Sequence, residues 1–210
     1  MSGSSQDLKK EWFEKARIDY HSLFIMLWLS CNSWYNFHYS LTNDREHINK
    51  IKSDRSSNNK LYQSFERLFL SDDKEGADFR NNITQLHYAL IQAELEYRGN
   101  DIPNGYTKMI FENLLTDFNK KTDNTSYQNV IISDARTKTG KLKKKYSDTH
   151  DLGDLVVVED LGILFAGIFE IIYQVRCHLV HGSLKPSKEN HAVVRCCYLI
   201  LWDCLKGFCE

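Results

Sequence analysis

Apolar residues recur every three or four positions along most of this chain, a spacing that predicts helices. Over residues 8–38, Trp12, Ala16, Tyr20, Leu23, Leu27, Trp34 and Phe37 predict one long helix. Positions 23–28 leave no polar face, so that part is expected to be buried on several sides. Asn43 and Asp44 read as a fresh N-cap for a short helix through Ile48 and Ile51. A polar break at 53–59 precedes a stripe of Leu61, Phe65, Leu68 and Phe69. Residues 71–77 read as a charged turn. Helical spacing resumes over 79–97 through Ile83, Leu86, Leu90 and Leu95, with Gly99 as a stop. Pro103 and Gly105 mark a connection to a shorter amphipathic helix over 106–118.

The pattern lapses over about 120–154. This stretch is polar, contains Gly140 and Gly153, and includes RTKTGKLKKKY at 136–146. Short strands are expected at 127–132 and 155–158, with room for a small hairpin around the basic run. Two long helices close the chain, over about 160–180 and 187–208, with Gly182 and Pro186 punctuating their joint. The expected fold is mainly α: a single domain over 1–210, a helical bundle with a basic insertion before the last two helices.

Composition changes this picture little. The chain has 210 residues, 42% hydrophobic and 26% charged, with a net charge of -1, so any attraction to nucleic acid must come from local patches. Only two prolines interrupt it, which suits helices. The first residues lack an apolar run behind basic residues, and the 23–29 run is far shorter than the roughly 20 residues that span a bilayer. The chain reads as soluble and cytoplasmic, with no membrane partner and no prenylation ending. Its six cysteines, Cys31, Cys177, Cys196, Cys197, Cys204 and Cys209, read as reduced thiols acting as small hydrophobes.

The most chemically loaded stretch is 159–185, EDLGILFAGIFEIIYQVRCHLVHGSLK. Leu161, Leu164, Phe165, Ile168, Ile172, Val175 and Leu179 form one stripe, widened by Ile163, Ile171 and Val180. So apolar a helix must pack on several neighbours, one of which is allowed to be its own symmetry mate. Its last turn then carries Arg176, His178 and His181. A permanent cation near an imidazole that titrates close to neutrality suits phosphate chemistry. Five residues of helix leave Arg176 and His181 about 140° out of register, so they converge only if the helix ends near His181; Gly182 is the residue that permits such an end.

The string YQVRCHLVHGSLK, 173–185, resembles the R-x4-6-H signature of HEPN domains. The resemblance implies an all-α fold and, for many members, metal-independent endoribonuclease activity in toxin–antitoxin or antiviral defence systems. It places Arg176 and His181 at the motif positions and leaves Cys177 where members commonly carry asparagine, with His178 one residue on as a substitute hydrogen-bonder. RNA is cut without metal when its 2′-hydroxyl attacks the adjacent phosphate, with a base for the hydroxyl proton and an acid for the leaving 5′-oxygen. His181 suits proton transfer, and Arg176 the charge accumulating on phosphate oxygens. The family typically pairs two such motifs across a dimer, which implies a homodimer through the 160–181 helix, and an antitoxin or other regulatory protein as a further partner. The alternative is a non-catalytic module of the same type that binds RNA or protein, with Arg176 and His181 capping the helix.

Tyr173, Ser183 and Lys185 are candidate accessories to His178 around this motif. Arg136, Lys138, Lys141, Lys143, Lys144 and Lys145 read equally as an RNA-backbone dock or a solvated loop. No cofactor is expected. A metal site at His178, His181, Cys177, Cys196 and Cys197 is disfavoured, since no CxxC or HExxH pairing occurs. Trp28, Trp34 and Tyr35 have core spacing rather than that of a base-stacking platform, and for Asp44, Arg45 and Arg55 the sequence gives no reason to prefer a functional role over a solvated surface.

Overall fold

The computed structural model describes residues 9, 18–93, 95–98, 106–111 and 135–209. Six helices carry the described fold: α1 (Tyr20–Tyr39), α2 (Asp44–Ser53), α3 (Lys60–Leu70), α4 (Lys74–Ala93), α5 (Leu161–Val180) and α6 (Lys188–Cys209). Between α4 and α5 lie two short antiparallel pairs. One joins β1 (Glu96–Arg98) to β2 (Tyr106–Lys108), the other β3 (His150–Asp151) to β4 (Val156–Val157). The chain is therefore mainly α, with a short hairpin just before its last two helices, as the pattern leads one to expect.

Short polar side chains set the helix starts by taking backbone N–H groups that have no partner inside the helix. The Asn43 side chain accepts from the Glu46 N–H at 3.0 Å to begin α2, and Asp160 accepts from Gly162 and Ile163 to begin α5. Asn59 begins α3 and also donates to the carbonyls of Ile51 and Asp54, which ties that start to the end of α2. Gly182, at φ +66°, ends α5 in a conformation that side chains resist.

The core lies between these helices. Phe24, Trp28, Phe65, Phe79, Leu86, Phe165, Ile171, Val194 and Leu201 are all buried. α6 packs along α4, α1 and α3, while α5 packs against α2, α3, α6 and α1. By length and composition α5 is apolar enough to cross a membrane, but most of it is covered by the other helices, as in a core helix. Its apolar residues from 161 to 175 are thus largely used up inside the chain; the exposed Val180 and the last turn are what remain for a second copy.

Several boundaries differ from expectation. Ile18 and Asp19 are not helical, because the Asp19 carboxylate caps α1 through the His21 N–H; a single helix over 8–38 is therefore broken there, and its residues 8 and 10–17 lie outside the described residues. The 23–28 segment is covered on one side only: Phe24 and Trp28 are buried, while Met26 faces outward. The charged turn shrinks to 71–73, since Asp73 takes the Gly76 N–H and α4 begins at Lys74. Residues 96–97 and 106–108, expected to be helical, lie instead in the paired strands β1 and β2, a choice that three-residue segments cannot express in their spacing. Residues 112–118 and 127–132 lie outside the described residues.

Candidate functional site

Arg176 leaves α5 toward α1 and α2. Its side chain is 20% exposed, its Nη2 lies 3.2 Å from Asp44 Oδ2, and its guanidinium carbon sits 5.7 Å from the centre of the Trp28 ring. Asp44 is held in turn: Tyr35 donates its hydroxyl to Oδ1 at 3.1 Å, and Asn32 Nδ2 donates to Tyr35 Oη at 2.5 Å. Burial and the neighbouring carboxylate push the Tyr35 hydroxyl well above its usual range, so it stays a donor. Arg176 Nε is buried and makes no hydrogen bond with the described residues.

His181 is the C-cap of α5. Its ring is exposed and has no partner among the described residues. Its backbone N–H still donates to the Cys177 carbonyl at 3.0 Å, so the helix is turning normally when it reaches His181. The break at Gly182 comes one residue later. It therefore does not swing His181 toward Arg176, and the register of about 140° between them stands. The expected convergence of the pair through the glycine stop does not arise within one chain.

The proposed accessories divide. His178 has both ring nitrogens engaged, Nε2 with the Glu96 carbonyl at 2.8 Å and Nδ1 with Ser183 Oγ at 2.9 Å. A carbonyl only accepts, so Nε2 carries a proton, and the ring ties β1 to the end of α5. Ser183 completes that clamp, its own N–H donating to the His178 carbonyl. Tyr173 is buried beneath the Arg45 guanidinium, 4.3 Å from its ring centre, and burial with the nearby Cys177 raises its hydroxyl. Lys185 is exposed, and its carbonyl accepts from Asn190 at the start of α6.

The basic run sits at the other end of α5. Arg136 is committed to the loop itself, pairing with Asp151 and donating to the Gly140 and Gly153 carbonyls. Lys138, Lys141, Lys144 and Lys145 are exposed and Lys143 is half-buried; Lys145 lies over the Tyr146 ring. His150, on β3, bonds the Glu159 carbonyl just before α5 begins. Arg136 and His150 thus tie the base of the run to the start of α5, and His181 caps the opposite end of that helix. The structure does not bring them together.

A cluster that the pattern of the chain left unremarked lies beside Arg176. Glu170, on the apolar face of α5, is only 10% exposed; it receives Arg45 Nη1 on both oxygens at 2.9 and 2.8 Å, Gln174 Nε2 at 2.7 Å, and the Lys52 ammonium. Burial alone raises this carboxyl, but Lys52 and Arg45 outweigh it and hold it below its ordinary range. Asp44, Arg45 and Arg55 thus each have a partner on α5; Arg55 Nη2 donates to the Gly162 carbonyl at 2.5 Å while its guanidinium covers Tyr62. The available signal was Glu170 itself, since an acid inside an apolar stripe demands a cation.

Two further features lie apart from these groups. Cys31, Cys196, Cys197 and Cys204 are buried thiols, Cys196 pushed up to about 11 by burial. A groove of about 420 Å³ between α1 and α6 is lined by Leu23, Met26, Leu27, Tyr198 and Trp202 and contains none of the candidate site residues. No protein-family model, curated protein or solved structure matches this chain.

Proposed function

We propose that this chain is a HEPN-like helical domain that cleaves RNA without a metal ion, with His181 as the proton-transfer group and Arg176 as the phosphate-facing cation. The observation that carries this reading is the exposed His181 ring, without a partner among the described residues, at the end of the helix whose preceding turn holds a partly exposed Arg176. The 2′-oxygen of the RNA attacks phosphorus, the bond to the 5′-oxygen breaks, and the products are a 2′,3′-cyclic phosphate and a 5′-hydroxyl. One imidazole removes the 2′-hydroxyl proton and a protonated one supplies the proton to the leaving oxygen. Each chain has one His181, and its register keeps it from its own Arg176. The site is therefore composite, with the last turns of α5 from two copies contributing to one groove.

A second reading is a HEPN-like module that binds RNA or a protein without cutting it. The pairing of Arg176 with Asp44 favours it, because a guanidinium neutralised inside the chain is less available to a phosphate. One experiment separates the two. Incubated with RNA in EDTA, the purified protein is expected to release 2′,3′-cyclic phosphate ends, and His181→Ala is expected to slow this by about 10²–10⁴-fold. Equal cleavage by the variant removes the mechanism, and binding without cleavage by the unaltered protein selects the second reading.

A further inference from the structure

Residues 44 and 45 stand side by side in the first turn of α2 and reach opposite charges on α5. Arg45 takes Glu170, and Asp44 takes Arg176. Both guanidinium groups come to the same stretch of α5: Arg45 covers the ring of Tyr173, and Arg176 leaves the helix one turn further on. Arg45 is fixed through Nη1 alone. Its Nε and Nη2 make no hydrogen bond with a described residue, and its side chain is 43% exposed.

The two carboxylates are not equivalent as partners. Glu170 is enclosed by its donors, whereas the Asp44 side chain is 34% exposed and offers Arg176 a single oxygen at 3.2 Å. An ion pair of that exposure is weak, and a guanidinium binds a phosphate through two parallel N–H bonds more firmly than a carboxylate through one. We propose that Arg45 and Arg176 form a cradle for one phosphodiester of a single-stranded nucleic acid, with Asp44 as the resident counter-anion that the phosphate displaces from Arg176. Tyr35 and Asn32 hold Asp44 where it both orients the empty guanidinium and can yield it. The proposal deepens the ribonuclease reading, since it rests on that reading for its ligand class, and it adds Arg45 and Asp44 to the site.

Binding of a 2′-O-methyl RNA oligonucleotide, which cannot be cut by its own 2′-hydroxyl, tests the cradle apart from catalysis. Affinity is measured across a salt series. Arg45→Gln and Arg176→Gln are each expected to weaken binding and to flatten the slope of log affinity against log salt by about 0.7, the loss of one phosphate contact. Asp44→Asn, which keeps shape and removes the competing charge, is expected to tighten binding several-fold at low salt. Affinity unchanged or weakened in Asp44→Asn overturns the counter-anion, and slopes in the arginine variants equal to that of the unaltered protein overturn the cradle. Should Arg45→Gln fail to fold, Asp44→Asn and Arg176→Gln decide. A protein that cuts ordinary RNA but shows none of these changes keeps the nuclease and loses the cradle. One that shows them all without cutting keeps the cradle and loses the nuclease, and one that binds no RNA loses both.

Discussion

Glu170 and Asp44 each hold an arginine across the seam between α2 and α5, yet they sit in opposite environments. Glu170 projects from α5 into the chain, where Lys52, Arg45 and Gln174 enclose it. Asp44 projects from α2 near the end of α5, where its hold on Arg176 is open to water on one side. A buried carboxylate deprived of its cations, or cations deprived of it, is costly because desolvation has no compensation. A pair that keeps one side open to water contributes less to stability than a sealed one. The first arrangement pins α2 to α5, and the second leaves a cation available at a surface.

This contrast can be broken most directly at Glu170. Glu170→Gln is expected to cost about 3–5 kcal/mol in urea unfolding, since the substitution removes the charge that Lys52 and Arg45 both face. The pH dependence has a definite sign. The folded carboxyl titrates below its unfolded value of about 4.3, so its contribution is full above that value and is lost as the pH falls through the folded one. The unaltered protein should therefore lose more stability than Glu170→Gln on going from about pH 6 to about pH 3. Equal losses would show that Glu170 is not the linked group.

A second sealed contact lies at the start of α5. A Cβ added at Gly162 would come within 2.3 Å of Arg55 Nε, and Arg55 is held there by the Gly162 carbonyl and the Tyr62 ring. Gly162→Ala is expected to lower the unfolding free energy by about 1–3 kcal/mol as Arg55 is forced aside. At the open end the effects shrink. Asp44→Asn should change stability by about 1 kcal/mol or less, in contrast to Glu170→Gln, and a loss as large as at Glu170 would erase the distinction drawn between the two carboxylates. His181→Ala, at an exposed cap with no described partner, should leave the melting curve within about 0.5 kcal/mol of the unaltered protein while cleavage falls.

The helical elements were legible where the apolar spacing was long and a capping residue stood at its edge. α2 after Asn43 follows that logic, and the last two helices lie where Gly182 and Pro186 divide them. The short β1–β2 pair was not legible, because three residues carry too little periodicity to separate strand from helix. Tyr173, Arg176 and His181 could be chosen as chemistry-bearing by residue type and position. Their partners could not.

What the amino-acid order determined by itself is local: which long segments coil, and that the end of α5 bears a cation and two imidazoles. Tertiary packing decided the rest. It brought Asp44 and Arg45 more than a hundred residues along the chain to opposite charges on α5, clamped His178 onto β1, and placed the basic run and His181 at opposite ends of one helix. Helix periodicity reports which face of a segment avoids water, but it does not report which face of another segment it will meet. Ion pairs between helices depend on that meeting, so they become visible only once the chain has packed.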